Sequence, residues 1–433
     1  LYFSAVSNMS FSYEDPETGP QTAPLSQLNS LLASANRERR LAANEGSAKA
    51  LQGNQHLFAA ALNAIAGTRL ELNRRRGIPH FLEPGLFQSG IGKASLEALM
   101  AAIESRVDFA REVFRFRTAT MGIEKPGWVD LRASLPIDGS TPTWVEGVSL
   151  ISDAFQRTYP TLGDFFDQMI EKEWIDHSPR SSKRPGGFCT TSALTGESRI
   201  FMTYKDTLND VLTLAHEAGH AWHARLLKDT RLMAGRYPMT LAETASTFAE
   251  RLLTQGVLSN PSIDQKTHLV LLDAEVEHML AFLLDLPIRF RFEEAVYRER
   301  AHGTLSPSRF CHLMASTQQR FFGDTFSEES PDPWFWASKM HFYFDKIEFY
   351  NYPYVFGYLL SQAFVDAIHQ DASAGFAAYE RFLKCSGSLS CEAVVKETLG
   401  LDISEDSFWK RQIDGLCANF AHYQSLLQAQ SAF

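Results

Sequence analysis

His216, Glu217 and His220 stand together in the run His-Glu-Ala-Gly-His. On a helix, imidazoles four positions apart project from one face and can bind the same metal ion, and the carboxylate between them can reach a water on that ion. This is the chemistry of a zinc site that activates water for hydrolysis. A third ligand must come from elsewhere, and Glu243, in the helical run TLAETASTFAERLL, is the nearest strong candidate. The rival layout needs a glycine and a third histidine soon after the motif. Here Trp222 precedes His223, Leu226 fills the third-histidine place, and no such glycine appears. The expected set is therefore one Zn2+ ion on His216, His220 and Glu243, with Glu217 as general base.

Small residues surround the motif. Ala218, Gly219 and Ala221 sit at a helix centre, where such residues cost helix propensity or packing unless something must come close. His223 lies seven positions after His216, nearly two turns, so it shares that face; Glu250 stands in the same relation to Glu243. Each is expected either to support a ligand from behind or to make an ordinary helix-surface hydrogen bond.

The elements that must position these residues are mostly helical. TLNDVLTLAHEAGHAWHARLL opens with Thr207 three residues ahead of Asp210, a capping-box pattern, and continues with apolar periodicity. Amphipathic periodicity also runs from Leu25 to about Thr120, broken at GIPHFLEPG. WVDLRASLPI (128–137) and GGFCTTSALTGESRIFMTYK (186–205) turn β-like, and the second, split at Thr195-Gly196, reads as a hairpin. After Thr207 the chain is almost wholly helical, punctuated near Gly235 to Pro238, Asn260-Pro261, Ser306-Pro307 and Ser330 to Pro333. LYFSAVSNM reads as a tag remnant and residues 10–24 as an extended lead-in. The expected organisation is 1–24 as tag and lead-in, 25–180 as a helical lobe and 181–433 as the catalytic helical region, with the two lobes able to form one continuous domain.

Composition narrows the class. The 433 residues, 45% of them hydrophobic, can bury a sizeable core, and the formal net charge of -10 argues against a nucleic-acid partner. Five scattered cysteines without a CxxC pair exclude a disulfide framework or a cysteine zinc site and suit a reducing cytoplasm. No apolar run approaches the roughly 18 residues of a membrane span, and the opening residues carry no signal-peptide pattern.

HEAGHAWH followed by LAETASTFAE resembles the thimet-oligopeptidase superfamily of zinc metallopeptidases, and most closely its oligoendopeptidase F branch. KRPGGFC (183–189), SRIFMTYKDTLNDVLTLAHE (198–217), HFYFDKIEFYNYPYVFGYLLSQ (341–362) and the stretch near LNAIAGTRLELNRRRG look similar too, so the likeness runs from about Gln52 to the C-terminus. It implies a mostly α, large multi-helix zincin-type peptidase with a deep substrate channel and a small β-hairpin or sheet beside the HExxH helix. It implies zinc on His216, His220 and Glu243, and an endopeptidase that hydrolyses internal bonds of short oligopeptides with Glu217 acting on a zinc-bound water. It also implies that a late segment holds substrate and the oxyanion, and here that segment offers His341, Tyr343, Tyr350, Tyr352, Tyr354 and Tyr358. Tyr354 and Tyr358, one helical turn apart, are the expected oxyanion donors, and Gly357 between them would let a peptide approach closely. Members of that branch carry an additional N-terminal helical portion.

Two further expectations follow. The strand around Arg199 to Tyr204 is read as a sheet edge on which substrate backbone pairs as an added strand. The alternatives to the endopeptidase are a zinc carboxypeptidase or dipeptidyl-carboxypeptidase, and a helical peptide-binding protein without catalysis; short peptides are the expected partners, with neither nucleic acid nor membrane.

Overall fold

The computed structural model describes residues 1–135, 141–180, 183 and 186–431. The chain is mostly helical and forms two compact units whose segments interleave. The first contains Leu1–Gln88, Glu104–Pro136 and Met279–Tyr352; the second contains Ser89–Ile103, Ile137–His278 and Pro353–Phe433. A division at 180/181 therefore does not describe the molecule, because each unit takes segments from both sides of that point.

In the first unit the opening residues take up regular structure, and residues 10–24 form a hairpin rather than an extended lead-in. Tyr2–Ser7 is helical, and β1 (Ser10–Asp15) pairs antiparallel with β2 (Gly19–Pro24). Pro16 lies in the turn that joins them, and Gly19, at φ 76°, and Pro20 open the second strand. The hairpin packs on helix α1 (Arg37–Gly53), where Gly46 lacks the Cβ that would strike the Ser12 carbonyl. Helix α2 (Gln55–Arg76) follows and ends at Gly77 in the left-handed conformation, as the Gly-Pro punctuation requires. WVDLRASLPI forms no strand among its described residues, 136 and 137 lying outside them. Trp128–Asp130 is a short 3-10 turn instead. Asp130 is its cause: its carboxylate accepts from the Gly127 N–H at 2.9 Å and from Arg40 at 2.7 Å, which curls the backbone that a strand would extend.

The second unit holds the expected hairpin within a three-stranded sheet. β3 (Ile175–Asp176) runs parallel to β5 (Ser198–Met202), and β5 pairs antiparallel with β4 (Gly187–Thr191) in the order β3-β5-β4. Helix α3 (Leu208–Leu226) carries the His-Glu-Ala-Gly-His run and α4 (Met239–Leu258) carries Glu243. Helix α5 (Tyr352–Gln370) and helix α6 (Ala372–Cys385) complete the surroundings of the site. Sixteen residues of α4 are buried, so this helix forms the spine of the unit; Gly256 lets the helix Trp144–Thr158 cross it, since a Cβ there would sit 2.6 Å from the Ala154 carbonyl oxygen. Among the described residues no helix is long and apolar enough to cross a membrane.

Candidate metal centre

Helix α3 starts where its sequence says. The Thr207 hydroxyl accepts from the Asp210 N–H at 3.2 Å, and Asp210 returns to the Thr207 N–H at 3.1 Å. This fixed start sets the phase of the helix and hence the shared face of His216 and His220, whose ring centroids lie 4.9 Å apart.

Glu243 reaches them because two glycines allow α4 to come close from both sides. A Cβ on Gly219 would lie 2.6 Å from the Ala245 carbonyl oxygen and 2.8 Å from Ser246 Cα. On the opposite side, a Cβ on Gly357 of α5 would lie 2.7 Å from Glu243 Cβ. The small residues around the motif thus make room for the helix that brings the third candidate ligand. Gly357 serves the same packing rather than the approach of a peptide.

Glu243 Oε2 stands 3.6 Å from His216 Nε2 and 4.0 Å from His220 Nε2, and the three candidate donor atoms all lie within 4.8 Å of one another. Metal–ligand bonds of about 2.0–2.1 Å at tetrahedral angles place donors about 3.4 Å apart, so a small contraction around a cation would close the set. Ser246 Oγ donates to Glu243 Oε2 at 3.2 Å and holds that carboxylate.

The outer contacts separate the two expected supports. α3 and α4 pass in opposite senses: His223 meets Tyr237, Gly219 meets Ala245, and His216 meets Glu250. Glu250 Oε1 lies 2.5 Å from His216 Nδ1, leaving Nε2 to face Glu243, while Glu250 Oε2 lies 3.3 Å from His278 Nδ1. His223 does not bond a ligand or present itself to substrate. A seven-residue offset keeps its azimuth but carries it about 10 Å along the axis from His216. There it is fully buried, donates from Nε2 to Ser386 Oγ at 2.8 Å, and stacks on Tyr237 at 3.9 Å.

The electrostatics are those of a site built for a cation. Burial alone would lower the His216 pKa, but Glu250, Glu243 and Glu217 carboxylates raise it to about 9. A proton thus plays the part that a metal dication would play among three acidic groups. Burial and the neighbouring His216 charge keep His220 neutral, with its lone pair available. Glu217 is 6% exposed, and its Oε2 is buried without a hydrogen-bond partner among the described residues. Burial pushes its pKa up to about 7, with the Glu243 charge adding to the rise, and His216 and the Cys189 backbone N–H opposing it. The donor set and this orphaned oxygen fit a bound metal ion with a water beside it.

β4 borders this site. Its Cys189 N–H donates to the Glu217 carboxylate, and a Cβ on Gly187 would lie 3.4 Å from Glu217 Oε1. The strand Arg199–Tyr204 was expected to be the free edge, but β5 is the central strand, occupied by β3 on one side and β4 on the other. The edge strand beside Glu217 is β4.

The remaining expected residues divide between the units. Tyr358 is 3% exposed, with the Arg251 guanidinium 4.5 Å above its ring and its carbonyl accepting from Arg251, so it helps join α4 to α5. Tyr354 is half-buried one turn earlier. His341, Tyr343 and Tyr350 belong to the first unit. Tyr343 is a core residue there: it is 3% exposed, stacks on Tyr2 at 3.6 Å, and its hydroxyl has no hydrogen-bond partner among the described residues, so it presents no face to a substrate. His341 Nδ1 lies 2.9 Å from Asn351 Oδ1, and its ring meets that of half-buried Tyr350 edge-on at 5.0 Å. Sequence reasoning missed His278, which no local pattern ties to Glu250, and Ser246, whose i+3 offset from Glu243 was a usable signal.

A helical fold with two helix-borne histidines, a carboxylate from a neighbouring helix and an acid beside them defines a metallopeptidase-type centre. Residues 141–412 match the model of peptidase family M3, and the chain belongs to that family. It is 24% identical over 366 residues to the chromosomal oligoendopeptidase F of Lactococcus lactis subsp. cremoris, covering 83% of this chain and 59% of the relative. It is 22% identical over 408 residues to oligopeptidase PepF of Bacillus subtilis, covering 93% of this chain and 60% of the relative. The crystal structure of oligoendopeptidase-F from Enterococcus faecium superposes with a TM-score of 0.75 at 16% identity, over 99% of this chain and 71% of that one. These relatives bear out the resemblance read from the sequence and the mostly helical fold it implies. The chain spans about three fifths of the length of the two curated relatives.

Proposed function

We propose that the chain is a zinc-dependent endopeptidase that hydrolyses internal bonds of short peptides. The observation that carries this reading is the convergence of His216, His220 and Glu243, with the Glu217 carboxylate buried beside them and one of its oxygens without a protein partner. When bound, zinc would act as a Lewis acid and lower the pKa of a water from 15.7 to about 7. Glu217 accepts the proton of the attacking water at Oε2. Its burial beside the candidate ligands, with Oε2 free of protein partners among the described residues, suits it to take that proton and then release it to the leaving amine. Glu250 holds the tautomer and orientation of His216 throughout. The edge of β4 supplies backbone pairing for an extended substrate, which favours tolerance of sequence. Tyr354, half-buried where Tyr358 is buried, is the residue we propose for the oxyanion, ahead of Tyr358. The scattered cysteines support a cytoplasmic setting.

The test is a doubly blocked peptide incubated with the zinc-loaded chain. Internal cleavage that disappears on metal removal supports the reading. Cleavage confined to unblocked C-termini would favour the carboxypeptidase alternative, and zinc binding without hydrolysis would favour a peptide-binding protein.

A further inference from the structure

The first unit contains a group of cations that its own carboxylates do not balance. Asp285 is buried at the end of a π-helical turn, Ala281–Asp285, a local distortion often found where a helix serves a function. Its Oδ1 accepts from Arg289 Nε at 2.7 Å, its Oδ2 accepts from Arg132 Nη2 at 2.7 Å, and a second Arg289 contact completes a fork. Two guanidiniums therefore already share one carboxylate.

Lys339 adds a third cation to the same group. Among the described residues its ammonium makes no hydrogen bond or ion pair; it lies 5.4 Å from the Phe335 ring, which also carries the Arg289 guanidinium at 5.3 Å. Burial, with Arg289 and Arg132 close enough to repel its charge, drives the Lys339 pKa well below its ordinary value despite the attraction of Asp285. A separate observation points the same way. Asn351 is 1% exposed; its Oδ1 faces His341 Nδ1 at 2.9 Å and accepts from Arg289 at 3.4 Å, while its Nδ2 is a buried donor without a partner among the described residues. The group thus gathers three basic side chains around one carboxylate beside a buried amide donor without a partner among the described residues, a combination that costs stability unless an acceptor arrives.

We infer that Lys339 and Arg132, backed by Arg289, form a binding site for a small oxyanion, a carboxylate or phosphate group. Arg132 is half-exposed and supplies access, its side chain being 42% accessible, while Arg289 at 3% is fixed behind it. The planar guanidiniums suit a two-oxygen acceptor, and Lys339 supplies a point charge. Arg132, Arg289 and Lys339 all belong to the first unit, and the candidate metal ligands to the second.

Thermal unfolding of the full chain, zinc-loaded and at constant ionic strength, tests the site with sodium phosphate, sodium acetate or sodium chloride. The unmodified chain should be stabilised by phosphate or acetate over chloride, and the arm that responds identifies the group preferred. In Lys339→Met the midpoint without oxyanion should rise, because an uncompensated cation is gone, and the oxyanion concentration giving half the response should increase at least tenfold. Arg132→Met, at an exposed position, should weaken the response without the rise and serves if Lys339→Met does not fold. An unmodified chain that responds equally to all three salts would overturn the proposal, as would a response unchanged in both variants, which would assign it to the metal site or to general salt effects.

Discussion

Replacing Gly357 by Ala sets two physical effects against each other. In an exposed helix interior the change should stabilise by about 1 kcal/mol, since alanine is the better helix former. Here the new Cβ would stand 2.7 Å from Glu243 Cβ and 2.8 Å from both the Glu243 carbonyl carbon and the Thr244 nitrogen. Carbon atoms pack at about 3.5–4.0 Å, so α4 and α5 must separate by roughly 1 Å. Overpacking of this kind costs about 1–3 kcal/mol, which equals or exceeds the propensity gain. The sharper consequence falls on the ligand, because the displaced backbone is that of Glu243, already 3.6 and 4.0 Å from the two imidazoles. Zinc affinity should fall about tenfold or more, a loss of the size seen when outer supports of a metal ligand are removed. Chelator competition measures the affinity and thermal unfolding of the metal-free chain measures the packing. A Gly357→Ala chain that is more stable than the parent and binds zinc equally well would refute the close approach of the two helices and the reasoning built on it.

Glu250→Gln should lower zinc affinity about 10- to 100-fold, measured by the same competition, because His216 loses its charged partner. Ser386→Ala removes one of the two acceptors of buried His223, leaving the Leu383 carbonyl at 3.2 Å, and should cost about 0.5–1.5 kcal/mol in denaturant unfolding while leaving zinc affinity unchanged, since His223 lies along the helix from the candidate ligands. Glu293, in the first unit, is raised from 4.5 to about 7, chiefly by burial, against the opposing Arg69 charge. The native state therefore binds more protons than the unfolded state between those values, and stability falls as pH rises from about 4.5 to about 7. Glu293→Gln should flatten this part of the stability–pH curve; a slope identical in both proteins would contradict the assignment.

The clustering of the candidate ligands was legible because helical spacing is a local property. His216 and His220 share a face by arithmetic, Thr207 and Asp210 cap their helix, and the small residues around them announce a close neighbour. What remained hidden depends on contacts far apart in the chain. Gly357 looked like an opening for substrate because its neighbours are tyrosines, yet the atoms it makes room for are more than a hundred positions earlier. Arg199–Met202 looked like an edge because a hairpin has two, and only the parallel pairing of Ile175–Asp176, invisible to periodicity, makes β5 central. Tyr343 resembled its neighbouring tyrosines in sequence, but stacking on Tyr2 withdraws it into the core, and Tyr2 itself lies in residues that read as a tag. The interleaving of the two units follows from the same cause: composition changes mark helix ends, whereas unit membership is decided by long-range packing.

The central claim is that Glu217 takes the proton of water beside a metal held by His216, His220 and Glu243. Glu217→Gln preserves shape and removes that proton acceptor. With zinc content measured in the same samples, the account predicts that this variant retains the metal but cleaves a doubly blocked oligopeptide at least about 100-fold more slowly than the parent chain. Equal cleavage rates at equal zinc content would contradict it.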